Sequence, residues 1–212
     1  MPRCIIIAPL YRGEERELLT PHPGDLLLCA DGGYAAAKAY ELQPDLVIGD
    51  FDSSSDGVPT DCACRVLPVH KDDTDLVVCI REGRDRGYRE FLIAGALGGR
   101  MDHTIAALQC LKDCALRGEQ AWLVDGQNRI TVLTPGTYDL SAYRMEGRSL
   151  SLLAATPAVR GVTLTGTLWE LQDAVLTDRY PLGISNQYVG DARLTFTEGM
   201  LYLGLCGDAG KQ

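Results

Sequence analysis

The chain has 212 residues, 46% apolar and 23% charged, a balance that suits a full hydrophobic core and excludes disorder, collagen and coiled coil. At about 100–150 residues per domain there is room for one or two domains. Twenty Lys+Arg stand against 29 Asp+Glu, and the net charge of −9 disfavours nucleic acid or an anionic membrane surface as primary partner.

From Met1 to Ala8 there is one positive charge and a short apolar run stopped by Pro9, too brief for a signal-peptide core. No window approaches the roughly 20 apolar residues of a membrane helix, so a cytoplasmic location is expected. In the first 125 residues, apolar runs predict strands at Cys4–Ala8, Leu26–Ala30, Leu46–Ile48, Arg65–Val69, Phe91–Ala94 and Ala121–Val124. Between them Tyr34–Leu42, Thr74–Arg86 and His103–Arg117 read as helices, the last from Ile105, Leu108 and Leu111 at helical spacing. Runs without in/out alternation suit strands buried on both faces, and β-α alternation implies a mostly parallel, doubly wound sheet.

After Gly126 the pattern changes to short Thr/Val/Leu-rich runs: Arg129–Leu133, Leu150–Ala154, Val162–Thr165, Ala174–Leu176, Arg193–Thr197 and Met200–Leu205. Turn signals at Pro135-Gly136, Gly147, Pro157, Pro181, Gly190 and Glu198-Gly199 separate them, as in an antiparallel β-sandwich. The expected organisation is an α/β domain over 1–126 and an all-β domain over 127–212. Eight cysteines include Cys62-Ala63-Cys64 and the pair Cys110 and Cys114, but no C-x-x-C. That spacing supports neither zinc nor a disulfide framework, and most are expected to be buried thiols.

The acidic residues gather where the strands end. Asp31 follows the second strand, Asp50 and Asp52 the third, Asp72, Asp73 and Asp75 the fourth, and Asp102 the Gly-rich exit of the fifth. In a parallel sheet these positions share the edge where open α/β folds bind ligands. Asp50 and Asp52, two apart in extended chain, would point to one side. Crowded carboxylates repel, and a hard divalent cation bridged to phosphate relieves the conflict. Singly, each acid has a plainer reading; Asp73 or Asp75 would serve as a helix cap. Gly32-Gly33 and Gly98-Gly99 fit close approach of backbone N–H groups to phosphate, or simply tight turns. Arg100 and Lys71 are candidate phosphate-binding cations. There is no G-x-x-x-x-G-K-[ST] and no G-x-G, which leaves a P-loop or a dinucleotide fingerprint unsupported.

Ala30-Asp31-Gly32-Gly33, Pro44-Asp45-Leu46-Val47-Ile48-Gly49-Asp50-Phe51-Asp52-Ser53, Lys71-Asp72-Asp73-Thr74-Asp75 and Gly98-Gly99-Arg100-Met101-Asp102-His103-Thr104 together resemble the thiamine pyrophosphokinase family. So do Gly161-Val162-Thr163-Leu164-Thr165-Gly166-Thr167-Leu168-Trp169 and Gly183-Ile184-Ser185-Asn186. The resemblance spans nearly the whole chain in order, and G-D-F-D-S is its most specific block. It implies diphosphoryl transfer from ATP to thiamine, an α/β domain with a C-terminal β-sandwich, and a homodimer with active sites between subunits. Carried over, Asp50, Asp52 and Asp75 would hold Mg²⁺ with Asp31 close by. Asp31, Gly32, Gly33, Lys71, Asp72, Thr74 and Arg100 would bind ATP, with Arg100, Asp102 and Asp75 at the reacting groups. Asp102, Trp169, Ser185 and Asn186 would bind thiamine, Asn186 by shaping its turn. Val77 and Glu170 depart from the family pattern.

Asp102, or next His103, is the candidate to orient or deprotonate the thiamine hydroxyl. Without the resemblance, Asp102 reads equally as a helix N-cap and Trp169 as a core residue. Three alternatives stay open: a haloacid-dehalogenase-like phosphatase with Asp50 as nucleophile, a D-x-D glycosyltransferase, and an inactive nucleotide- or thiamine-binding module.

Overall fold

The computed structural model describes residues 1–51, 57–68 and 72–208. Of the site candidates, Asp52 and Lys71 lie outside the described residues, as does Val69 at the end of the fourth predicted strand. The chain divides into two units, Met1–Gly126 and Gln127–Gln212.

In the first unit, β1 (Cys4–Ile7), β2 (Leu26–Ala30) and β3 (Leu46–Gly49) are completely buried, as uninterrupted Ile/Leu/Val runs require. With β4 (Cys64–Val66), β5 (Glu90–Ala94) and β6 (Gln120–Val124) they form a parallel array ordered β4-β3-β2-β1-β5-β6. The helices are α1 (Arg16–Leu19), α2 (Gly33–Ala39), α3 (Asp75–Asp85) and α4 (Met101–Leu116). The chain runs outward from β1 to β4 and then returns to β5 on the other side of β1. The strand order therefore reverses between β1 and β5, where an open α/β sheet leaves a crevice beyond its carboxyl ends.

The helix α1, with only Leu19 buried, was not among the sequence expectations. It is too short for helical periodicity to register. Its end is closed from outside, because the Arg3 guanidinium donates to the carbonyls of Leu18 and Thr20 while gripping Asp25.

The second unit contains two antiparallel sheets, as the sandwich reading anticipates. One is ordered β12 (Gly183–Asn186), β9 (Ser149–Ala154), β14 (Leu201–Cys206), β7 (Asn128–Leu133). The other is β11 (Leu171–Thr177), β10 (Ala158–Thr167), β13 (Tyr188–Phe196), β8 (Gly136–Asp139). Leu150, Leu152, Leu201, Leu203 and Leu205 from the first sheet are buried, as are Val159, Val162, Leu164, Leu194 and Phe196 from the second. β10 is longer than Val162–Thr165 because Gly161 and Gly166, both at positive φ, sit at register shifts inside the strand. β8 and β12 are short and polar, and the sequence pattern does not mark them.

Candidate active site

A cavity of about 430 Å³ opens at the reversal of strand order in the first unit. Ala8, Pro9 and Leu10 after β1 and Gly95 and Ala96 after β5 supply its apolar floor. Asp50, Asp73, Thr74, Asp75, Arg100 and His103 bring its polar groups from the ends of β3, α3 and α4. Among the described candidates of the first unit, Asp31, Gly32, Gly33, Asp72 and Asp102 lie outside this lining. The apolar floor escaped the sequence reading because it depends on β5 returning beside β1, which no local pattern reports.

Asp31 is placed by strain and by close packing. It follows β2 with φ of 42°, an uncommon conformation for a residue with a Cβ, and its N–H donates to the Ile48 carbonyl at 2.7 Å. A Cβ on Gly49 would lie 2.8 Å from Asp31 Oδ1, so a glycine there lets the carboxylate settle over the end of β3. Asp50 begins the loop after that strand. Phe51 is buried with φ of 57°, so the chain through residue 51 is left-handed rather than extended. Two acids set on one side of an extended chain would need residue 51 in the β region, and Phe51 is not.

Thr74 is extended and caps α3, its Oγ1 accepting the Val77 N–H at 3.4 Å. The cap is thus neither Asp73 nor Asp75. Asp73 pairs with Arg81 at 2.9 Å, and Asp75 opens the helix. Asp72 is exposed. Across the cavity, the Arg100 guanidinium donates to both oxygens of Asp102, at 2.6 and 3.2 Å, from the N-cap position of α4. The N-cap reading of Asp102 fails, since that carboxylate lies in the first turn and accepts the His103 N–H at 3.0 Å.

The Arg100 hydrogen bonds hold the Asp102 carboxyl below its ordinary range, with the His103 N–H adding to the effect. A depressed carboxyl stays ionised as pH falls until its own lower titration is reached, so Asp102 is charged throughout the neutral range. Replacing Arg100 by Ala is expected to return this titration upward. The shift is measured by carbon NMR of the Asp102 carboxyl, and the acid limb of kcat/KM should move to higher pH with it. An unchanged carboxyl titration in that variant refutes the assignment of cause.

The second unit holds its own cavity, about 310 Å³, lined by Trp169, Ser185 and Asn186 with Leu152, Leu164 and Leu182. The three second-unit residues carried over for thiamine all meet here. β12 pairs with β9 through a register shift between Gly183 and Asn186. Within it Ser185 has φ of 58° and its N–H donates to Ser151 Oγ at 3.0 Å. Such a bulge re-aims a side chain, which is how a strand that would alternate places two successive residues on one cavity. Asn186 is buried: its Oδ1 accepts the N–H groups of Trp169 and Gln187, and its Nδ2 donates to the Trp169 carbonyl and Thr167 Oγ1. Glu170, one of the two departures from the family pattern, accepts the Gly166 N–H at 2.7 Å and closes the β10–β11 turn.

All eight cysteines are free thiols; Cys4, Cys29, Cys79 and Cys114 are buried and the rest half-buried, fewer buried than expected. Burial pushes the Cys4 thiol up to about 12 and the Cys110 thiol up to about 11. Among the described residues, no three His, Cys, Asp or Glu side chains draw close enough to enclose a metal ion by themselves.

Two family models match the chain. Residues 22–123 match the catalytic domain of thiamin pyrophosphokinase, and residues 137–201 its vitamin B1 binding domain. The thiamine pyrophosphokinase of Bacillus subtilis (strain 168) is 28% identical over 187 residues, covering 84% of this chain and 86% of that one. The crystal structure of a thiamine pyrophosphokinase from Bacillus subtilis superposes with a TM-score of 0.85 at 24% identity, covering 97% of this chain and 99% of that one. One from Geobacillus thermodenitrificans gives 0.78 at 25% identity over the whole of both chains.

Proposed function

Because the chain belongs to the thiamin pyrophosphokinase family, we propose that its two cavities divide that family's reaction, the first unit holding ATP and the second thiamine. The chain is a thiamine diphosphokinase, transferring the diphosphoryl group of ATP to the hydroxyl of thiamine to give thiamine diphosphate and AMP. The single observation that carries the division is the chemistry of the two linings. One is a crevice beyond parallel strand ends with carboxylates and an arginine; the other is an apolar hollow with an exposed indole and a serine.

The acidic donors fit Mg²⁺. Asp50, Asp73 and Asp75 line one cavity and Asp31 packs over Gly49 at the end of β3, all hard oxygen ligands that do not enclose the ion. Mg²⁺ commonly takes only one or two carboxylates and completes its shell with water and phosphate oxygens. Asp50 and Asp75, with Asp52 from outside the described residues, would hold it, and when bound it neutralises triphosphate charge. Arg100 would grip phosphate oxygens with its planar fork. Asp102, ionised and tied to Arg100, serves as the acceptor that orients the thiamine hydroxyl. The new bond joins that oxygen to the β-phosphorus as its proton passes by way of Asp102 to solvent, the bond from the β-phosphorus to the bridging oxygen breaks, and AMP leaves with that oxygen. Little covalent work falls to the protein, so positioning and charge stabilisation carry the rate.

We also propose a homodimer. Leu168, Leu182, Ile184 and Val189 are each more than half exposed on the second unit, an apolar surface suited to pairing with another copy. Sedimentation at micromolar concentration should give twice the monomer mass. Eight free thiols suit a reducing compartment, which supports a cytoplasmic location.

The deciding assay mixes protein, ATP, Mg²⁺ and thiamine and separates the products. AMP in equal amount to thiamine diphosphate is the expected result. ADP, or inorganic phosphate released without thiamine, would overturn the reading and favour a phosphatase instead.

A further inference from the structure

The exposed Trp169 presents a physical puzzle. A side chain 56% exposed is little held by packing, yet both polar groups of its own peptide are hydrogen-bonded. Leu168 N–H donates to the Gln187 carbonyl at 2.9 Å, and Thr167 Oγ1 donates to the Trp169 carbonyl at 3.2 Å. Asn186 takes both polar groups of residue 169 at once, Oδ1 accepting its N–H at 3.1 Å and Nδ2 donating to its carbonyl at 2.7 Å. Its remaining donor and acceptor go to Thr167 Oγ1 and the Gln187 N–H, so all four positions of the amide are used inside the turn. From the other side Glu170 Oε1 holds the Gly166 N–H at 2.7 Å.

A buried amide among leucines is unfavourable unless every position is bonded. Here the bonded object is the peptide of one exposed tryptophan. We infer that Asn186 and Glu170 are positioning residues that clamp the Leu168–Glu170 turn so that the Trp169 indole stands ready as a flat platform for the cationic ring of the substrate. The inference rests on the thiamine assignment of this cavity and refines it: Asn186 acts through Trp169, and ligand contact falls to Trp169 and Ser185. A turn fixed before binding spares the backbone part of the ordering cost that a mobile loop would incur on closing over its ligand. Glu170, the residue that departs from the family pattern, then has its role in turn closure, through an oxygen rather than a charge.

Steady-state kinetics on the full chain test this through a double-mutant cycle. Trp169→Ala should raise the thiamine KM about 10-fold, on the scale of an aromatic–cation contact, with the ATP KM unchanged. Asn186→Ala should raise the thiamine KM about 5-fold with kcat within 2-fold. Placed on Trp169→Ala it should add less than 2-fold, because its effect passes through the ring already removed. Glu170→Ala, an exposed change that spares the core, should raise the thiamine KM about 3-fold, and Glu170→Gln, which keeps the accepting oxygen, should restore it.

The outcomes separate cleanly. A Trp169→Ala enzyme with normal thiamine KM removes the thiamine assignment, and the clamp with it. If that variant is impaired while Asn186→Ala and Glu170→Ala are silent, or while Asn186→Ala acts in full on the double variant, the clamp alone is overturned. Glu170→Gln as impaired as Glu170→Ala overturns the turn-closing role in favour of a charge effect. Should Asn186→Ala fail to fold, the Glu170 pair combined with Trp169→Ala decides by the same non-additivity.

Discussion

Asp50→Asn is expected to leave the chain folded and to lower Mg²⁺-dependent AMP production at least about 100-fold, the scale on which a single charge-stabilising group is lost from a reacting site. Asparagine matches the carboxylate in shape, and Asp50 lies in the loop after β3 rather than within the buried strand. Loss of one negative charge from a hard oxygen set weakens Mg²⁺ far more than it disturbs packing. Two readouts keep the result interpretable. Circular dichroism and the thermal midpoint should match the parent, and the Mg²⁺ concentration giving half-maximal rate should rise steeply. Turnover within a few-fold of the parent at saturating Mg²⁺ would remove Asp50 from the metal set, and the ligand role of Asp75 would then need another partner.

The second large effect concerns stability and separates two neighbouring glycines. A Cβ on Gly33 would sit 2.1 Å from the Ile7 carbonyl oxygen and 2.8 Å from its carbon, both backbone atoms of a wholly buried strand that cannot retreat. Gly33→Ala should therefore cost about 3 kcal/mol, at the upper end for an overpacked core, read as a lower urea midpoint. At Gly32 the nearest atoms belong to Pro9 at 3.5 Å, ordinary contact, and φ is −55°. Gly32→Ala should change stability by less than about 0.5 kcal/mol. The pair thus separates packing from ligand approach. Weakened ATP binding in a normally stable Gly32→Ala would mark that backbone as the phosphate-facing one, whereas parent-like stability in Gly33→Ala would refute the packing account.

Much of the fold could be read because its signals are local. The short Ile5-Ile6-Ile7 and Leu26-Leu27-Leu28 runs between turn signals point to strands covered on both faces, and Thr74–Arg86 reads as the helix α3, although its cap is Thr74 and neither Asp73 nor Asp75. The acids after β2, β3 and β5 could be placed on one edge from parallel connectivity alone. What escaped was set by distant chain. The floor of the first cavity depends on β5 lying beside β1, and the pairing of Asn186 with Trp169 spans 17 residues of sequence. Phe51 misled for a different reason, since nothing in a buried aromatic between two aspartates signals a left-handed backbone. The same holds for Glu170, whose role exists only once the hairpin has closed.

Ser185 carries one more consequence. A residue with a Cβ at φ of 58° is held in a conformation that glycine or asparagine adopts with less strain. Evolution in the laboratory under heat alone should drift toward those two residues at this position. Populations kept dependent on thiamine should instead retain the serine hydroxyl, and competition between the two lineages would reveal how strongly nutrition, against temperature, has shaped this corner of the molecule.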